Sequence, residues 1–500
     1  MKLNSKATLA FLLAAMAISP ILMTACAEAQ TKEAASSTSG ADIISDTDDG
    51  ETTLHMPDVP EEDYGSRFIF LTSGEADDNG ADWITYDVWV EEADAEPIND
   101  AVFKRNGMIQ DHLGITIEEV KSASGQTVLA TAQRAIQSNS PDYDAVMIGV
   151  ARALTMGQNG QIYNFNEIPY INLENEWWDQ KCTEETRILG KNYFATGDIT
   201  VIDNDATWTL MFNKQMIEDL TLEVPYDLVK DDVWTFDKFG EMIKAGAQDL
   251  NSDGKMRWTQ DQFGFVTTGN SGDGLFYAAG ARLVTLDDDL YPTSAINEDF
   301  LSTVVEKAGE IFADKNTVID NYKNSNITTN AIRGIFEQGR GLFFGEVMQC
   351  ITRMRDSETD FGVIPWPKLN ENQTEYYNMT HSTATKGVVV PLTQTDLDKT
   401  GAVLEYMAGV SKYTLTVAYY DICITSKYVR DLESADMLDI ILSSRVYDLG
   451  YICDFGGLYS SVTGLIKDGK TNTASTISSR LKAFNKAMEK MTQKFEDNAS

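Results

Sequence analysis

Residues 98–150 read INDAVFKRNGMIQDHLGITIEEVKSASGQTVLATAQRAIQSNSPDYDAVMIGV. Ile98, Val102, Ile109 and Leu113 share one face of a helix over 98–114, with Asn99 or Asp100 to cap it and Gly114 to end it. ITIEEV (115–120) then reads as a strand, QTVLATAQRAIQS (126–138) as a helix and YDAVMIGV (143–150) as a strand. Upstream, RFIFLTS (67–73) reads as a buried first strand, and ITYDVWVEE (84–92) alternates like another. Strands and helices in this alternation predict a parallel sheet covered by helices. Ligands of such sheets sit beyond the carboxyl ends of the strands. The loop after the first strand carries Glu75, Asp82 and Trp83, and the loop after 143–150 carries Ala151 and Arg152.

A second mixed region follows. TWTLMFNKQMIEDL (207–220) passes from strand to helix, and VWTFDKFGEMIKAGAQ (233–248) is a helix capped by Thr235. QFGFVTTG reads as a strand, FLSTVVEKAGEIFADK (300–315) as a helix, and AIRGIFEQGRGLFFGEV as helix then strand. DFGVIPWPKL is a strand broken by Pro365 and Pro367, and GVVVP (387–391) is another. The C-terminal stretch reads as mostly helical, without internal repeats.

With 500 residues and 43% apolar side chains, the chain can build two or three cores. Its first 25 residues hold Lys2, Lys6 and an apolar run ending at Thr24-Ala25, which reads as a secretory leader. Cys26 at the cleavage point is the pattern of a bacterial lipoprotein, with Met23 where Leu is usual. Pro20 and the lack of a second apolar span argue against a membrane helix. Residues 26–65 are polar and acidic and read as a lipid-bearing Cys26 followed by a disordered tether. The net charge is −37, made two units more negative by loss of Lys2 and Lys6. That excludes nucleic acid as a partner and leaves the lipid as the membrane contact. Cys182, Cys350, Cys423 and Cys453 lack zinc spacing and read as free thiols.

Five stretches carry a resemblance: YDAVMIG with its following loop, TWTLMFNK, VWTFDKFGEMIKAG, EQGRGLFFGEV and DFGVIPWPKLNENQTEYYN. In this order, behind a lipobox and a polar tether, they resemble the family 1 extracellular solute-binding proteins of ABC importers, in the Gram-positive lipoprotein branch. The resemblance covers residues 66–490. It implies an α/β, two-lobe periplasmic-binding-protein-like fold (type II) with discontinuous lobes joined by a hinge. The lobes would be 66–205 with 380–425, and 206–379 with 426–490. A monomer would hang by its lipid on the outer face of the membrane, bind a small solute such as a sugar between the lobes, and deliver it to a permease, without catalysis or cofactor.

A sugar site pairs aromatic plates with hydrogen-bonding carboxylates, amides and Arg. Candidates are Trp83, Arg152, Asp205, Trp208, Asn270, Asp273, Phe344, Glu346 and Trp366. Each has a plainer account: packing for the aromatics, a surface ion pair for Arg152, turns for 203–205 and for the loop GNSGDG (269–274). No Trp stands in EQGRGLFFGEV, so stacking there falls to Phe344. DLNSDG (249–254) starts like a calcium loop, with Asp249, Asn251 and Asp253 at its first ligand positions. Position 12 is Gln260 instead of Glu, and a polar turn accounts for the same residues. The rival from another class is a surface glycoside hydrolase, whose paired carboxylates 77 acidic residues could always supply.

Overall fold

The computed structural model describes residues 55–65, 67–74, 83–269, 271–324, 326–354, 357–425 and 432–499. The leader, Cys26, most of the tether, Asn270 and the Cys423 side chain lie outside the described residues.

Thirteen strands are described. They are β1 (Arg67–Ser73), β2 (Thr116–Ser122), β3 (Ala145–Gly149), β4 (Trp208–Asn213), β5 (Phe263–Thr267), β6 (Val284–Leu286) and β7 (Pro292–Ser294). Then come β8 (Val318–Asp320), β9 (Gly341–Val347), β10 (Phe361–Ile364), β11 (Asn378–Met379), β12 (Lys386–Val389) and β13 (Arg445–Val446). One sheet has the order β12-β3-β1-β2 and a second β10-β4-β9-β5-β8. In the first, β1, β2 and β3 run parallel while β12 runs antiparallel to β3. In the second, β4 alone opposes its neighbours.

The first sheet is sandwiched between cores, and its period-2 pattern shows why. Phe68, Phe70, Ala145, Met147 and Val388 point to one core, with the helices Pro97–Leu113 and Leu397–Lys412. Leu71, Val146, Ile148 and Val389 point to the other. Each large apolar side chain so buried contributes about 1.5–3 kcal/mol. Local signals set the helix ends. Gly114 stops Pro97–Leu113 at φ 66°, a left-handed turn that glycine adopts without strain. The Thr235 hydroxyl accepts the Lys238 N–H at the start of Phe236–Gly246. That helix lays Phe239 edge-on to Phe265 and Phe343 of the second sheet, at 5.1 and 5.2 Å.

Three segments lie side by side between the sheets. Thr207 bridges Thr380 antiparallel, His381 N donates to Ala206 O at 2.9 Å, and β11 pairs parallel with β13. The third segment of this group is Arg445–Val446. Its Arg445 guanidinium reaches Asp203 and Asp179, at 3.1 and 2.8 Å.

Three sequence expectations need correction. ITYDVWVEE (84–92) is not a strand. Its backbone bonds side chains instead: Arg105 Nη2 and Asn106 Nδ2 both donate to Val88 O. The GNSGDG loop has already become the helix Ser271–Ala278 at Ser271. The ordered body starts before residue 66. Residues 55–65 lie along the first sheet's outer helices, with Val59 buried and His112 bonded to Val59 O.

Among the described residues, no helix is long and apolar enough to cross a membrane. Cys182, Cys350 and Cys453 are free.

Candidate functional site

The strand directions define two edges. In the first sheet, Ser73 and Gly149 end β1 and β3 where Lys386 begins β12, since Lys386 pairs with Gly149. In the second, Thr267, Asp320, Val347 and Ile364 end their strands where Trp208 begins β4. Both edges converge on the same crossing pair: Thr207 leads directly into Trp208, and Thr380 into the segment that reaches Lys386.

On the first edge, the Ser73 hydroxyl donates to Trp83 O at 2.9 Å and accepts from Lys386 Nζ at 3.1 Å. Trp83 is partly buried, its ring 5.7 Å from the His381 ring. Burial holds the His381 imidazole down to about 4, so it is neutral near pH 7. Arg152 is half-buried beside the start of the helix Gly125–Gln137. A Cβ at Gly125 would lie 3.1 Å from its Nη1. Burial lowers Lys386 to about 8, with the Arg152 charge acting in the same sense.

On the second edge, Trp208 and Trp366 are fully buried, and each indole N–H lacks an acceptor among the described residues. Trp366 lies under Gly274, where a Cβ would come within 3.0 Å of the ring. Glu346 accepts the Val347 N–H at 3.1 Å, and burial raises its carboxyl. Asp273 sits on the helix Ser271–Ala278, paired with Lys467 Nζ at 2.9 Å; burial raises its carboxyl as well. Tyr451, from the C-terminal part of the chain, reaches across to accept the Ser382 N–H at 3.2 Å.

Trp83, Arg152, Trp208, Asp273, Glu346 and Trp366 therefore stand at or next to these strand ends. Phe344 and Asp205 stand elsewhere. Phe344 stacks on Phe336 at 5.4 Å in the core behind the second sheet. Asp205 accepts from Tyr86 and Tyr419 hydroxyls at 2.8 and 3.1 Å, inside the crossing region. Burial raises it to about 6. Sequence reasoning did not name Lys386, His381 or Tyr451. For Lys386 a signal existed: a lone charge opening the apolar run KGVVVP.

In the loop at 249–254, Asp249, Asn251 and Asp253 accept the N–H groups of Gly254, Asp253 and Lys255. Among the described residues, no group of three or more His, Cys, Asp or Glu is arranged to hold a metal ion.

No protein-family sequence model and no curated protein sequence matches the chain. Solved structures do. An ABC substrate-binding protein from Listeria monocytogenes, in complex with cycloalternan, is similar over 85% of this chain and 99% of its own, with TM-score 0.53 and 11% identity. A sugar transporter protein from Rhizobium etli, in an open conformation, is similar over 86% and 99%, with TM-score 0.54 and 15% identity. RafE from Streptococcus pneumoniae, in its apo form, is similar over 87% and 98%, with TM-score 0.51 and 13% identity. The chain has the α/β, two-lobe fold of the solute-binding proteins of ABC importers, of the maltose-binding type.

Proposed function

We propose that this chain captures a carbohydrate in the cleft between its two sheets and delivers it, unaltered, to an ABC permease. The observation that carries the reading is the meeting of two polar strand edges at paired crossing segments. Such segments let two bodies swing about a narrow hinge, and closure captures a ligand that contacts both edges. The names of the similar structures, a cycloalternan complex and a sugar transporter, point to the same solute class. Trp83 and Arg152 on one edge, with Glu346 and Asp273 on the other, supply a plate, a cation and two carboxyls.

Two discontinuous lobes, 66–205 with 380–425 and 206–379 with 426–490, are joined by the hinge. Cys26 carries the lipid that anchors a monomer on the outer face of the membrane. One lipidated Cys bearing two chains supplies the two apolar signals that stable anchoring requires.

Thermal shift and calorimetry against a saccharide panel test the function. A captured sugar raises the melting temperature, because a ligand bound only by the native state adds to its stability. No stabilisation by any saccharide at saturation would refute the reading. Release of reducing ends at catalytic turnover would assign the chain to the glycoside hydrolases instead. Cys26→Ala should move the protein from the membrane fraction to the medium.

A further inference from the structure

Among the described residues, the first edge gathers three buried or half-buried cations. Lys386 is buried, and its ammonium has one hydrogen-bond partner among the described residues, the Ser73 hydroxyl. Arg152 is half-buried and has neither a hydrogen bond nor an ion pair among them. Arg105, also buried, donates to Val88 O and Asn106 Oδ1 while its Nη1 finds no acceptor.

Among the described residues two carboxylates face these cations, Asp87 and Glu119. Asp87 is engaged by the Thr200 hydroxyl and Val201 N–H, both at 2.7 Å. Glu119 is engaged by the Thr72 hydroxyl at 2.6 Å and by Lys121 at 3.4 Å. Burial raises both carboxyls, against the pull of Arg105 on Asp87 and of Lys121 on Glu119. A cation buried without a carboxylate is destabilising by itself, and such groups concentrate at functional sites. The setting sharpens the point. The chain carries −37 overall and repels anions at long range. Cations gathered at a strand edge against that field suit a ligand that is itself anionic.

We propose that the cleft takes an acidic saccharide, with its carboxylate or sulfate meeting Arg152 and with Lys386 adding positive charge behind. The inference rests on the carbohydrate reading above. Arg152 supplies a planar fork of N–H donors that matches either anion, and among the described residues no partner occupies that fork.

Calorimetry on the full chain tests it, with matched neutral, uronate and sulfated di- and trisaccharides. The acidic members should bind at least about tenfold more tightly than the neutral ones. Added salt should weaken the acidic members selectively. Arg152→Gln should remove the preference, weakening the acidic members by about tenfold more than the neutral ones. Lys386→Met, checked for folding by its melting curve, should reduce the preference in the same direction. Preference for the uronate or the sulfate member identifies which anion the site prefers. Equal or tighter binding of the neutral saccharides would overturn the acidic assignment and leave carbohydrate capture standing. Failure of every saccharide to bind would overturn both.

Discussion

Arg445 and Asp203 form a 3.1 Å ion pair across 242 residues of sequence, inside the crossing region. The same guanidinium holds Asp179 at 2.8 Å and the Asn204 side-chain oxygen at 2.9 Å. One side chain on the third passage thus ties down the first passage and the segment before it. The Tyr447 hydroxyl also donates to Asp179, at 2.8 Å, so the network closes on itself.

Breaking that network should be costly. Arg445→Met leaves two buried carboxylates facing each other without a cation, and such a loss is worth about 3–5 kcal/mol. Urea unfolding should show it. Adding Asp203→Asn to Arg445→Met should recover part of the loss, because one of the uncompensated charges is gone. Stability within about 0.5 kcal/mol of the parent would refute this account of the pair.

Asp203 also predicts a pH dependence. Burial, with Asp179 beside it, raises its carboxyl to about 7 despite Arg445. The folded state therefore holds a proton that the unfolded state has already released. Stability must fall as pH rises through that window. Asp198 and Asp205, each raised to about 6 by burial, act in the same sense at lower pH. His381 acts in the opposite sense below its usual range, because burial holds it down to about 4. From about pH 6.5 to 7.5 Asp203 itself contributes a loss of about 0.7 kcal/mol, which the difference in slope between the parent and Asp203→Asn isolates from His381, Lys386, Asp198 and Asp205. Chemical unfolding of both proteins at the two pH values should give that difference. Equal slopes for the parent and Asp203→Asn over the interval would contradict the assignment.

Trp83 should matter for binding more than for folding. It is partly buried at the first edge, beside a neutral His381 ring. Trp83→Ala should weaken the best saccharide by about tenfold or more, which corresponds to loss of about 1.4 kcal/mol of stacking. Trp234→Ala, in the aromatic cluster with Phe239 and Phe343, should instead lower stability by about 3–5 kcal/mol. If the two substitutions had the same effect on both readouts, Trp83 would be a packing residue.

Much of the first sheet was legible because its signals are local. Helix 97–113 has its apolar face and its closing Gly114 within one window, and β3 is a short apolar run. The strand ends then pointed to Trp83 and Arg152 without knowledge of the ligand. The crossing region was not legible, because its partners are distant. Tyr86 and Tyr419 meet Asp205 from opposite ends of the chain, so nothing near Asp205 distinguishes its network from a sugar contact. Phe344 misled for another reason. All seven residues of β9 are buried, so alternation could not say which face Phe344 takes. The segment 84–92 alternates like a strand, yet its bonds go to Arg105 and Asn106, whose reach no pattern reveals.

The segment ahead of β1 offers a prediction in which two effects compete. Residues 55–65 form a strap: the Tyr413 hydroxyl donates to His55 O at 3.0 Å, His55 lies 5.5 Å from the Trp177 ring, and Tyr64 N donates to Leu113 O at 3.0 Å. Pro57 rests on Gly409 in the helix Leu397–Lys412; a Cβ there would lie 2.1 Å from the Pro57 ring. On helix propensity alone, Gly409→Ala should stabilise by about 0.8–1 kcal/mol. The clash is with a rigid ring, so the strap must lift and expose Val59, whose burial contributes about 1.5–3 kcal/mol. The second term is larger, and the net effect should be a loss of about 1 kcal/mol. Limited proteolysis should then cut within residues 55–65 of the variant faster than in the parent. A Gly409→Ala protein that is more stable, with unchanged cleavage, would show that the strap does not need the glycine.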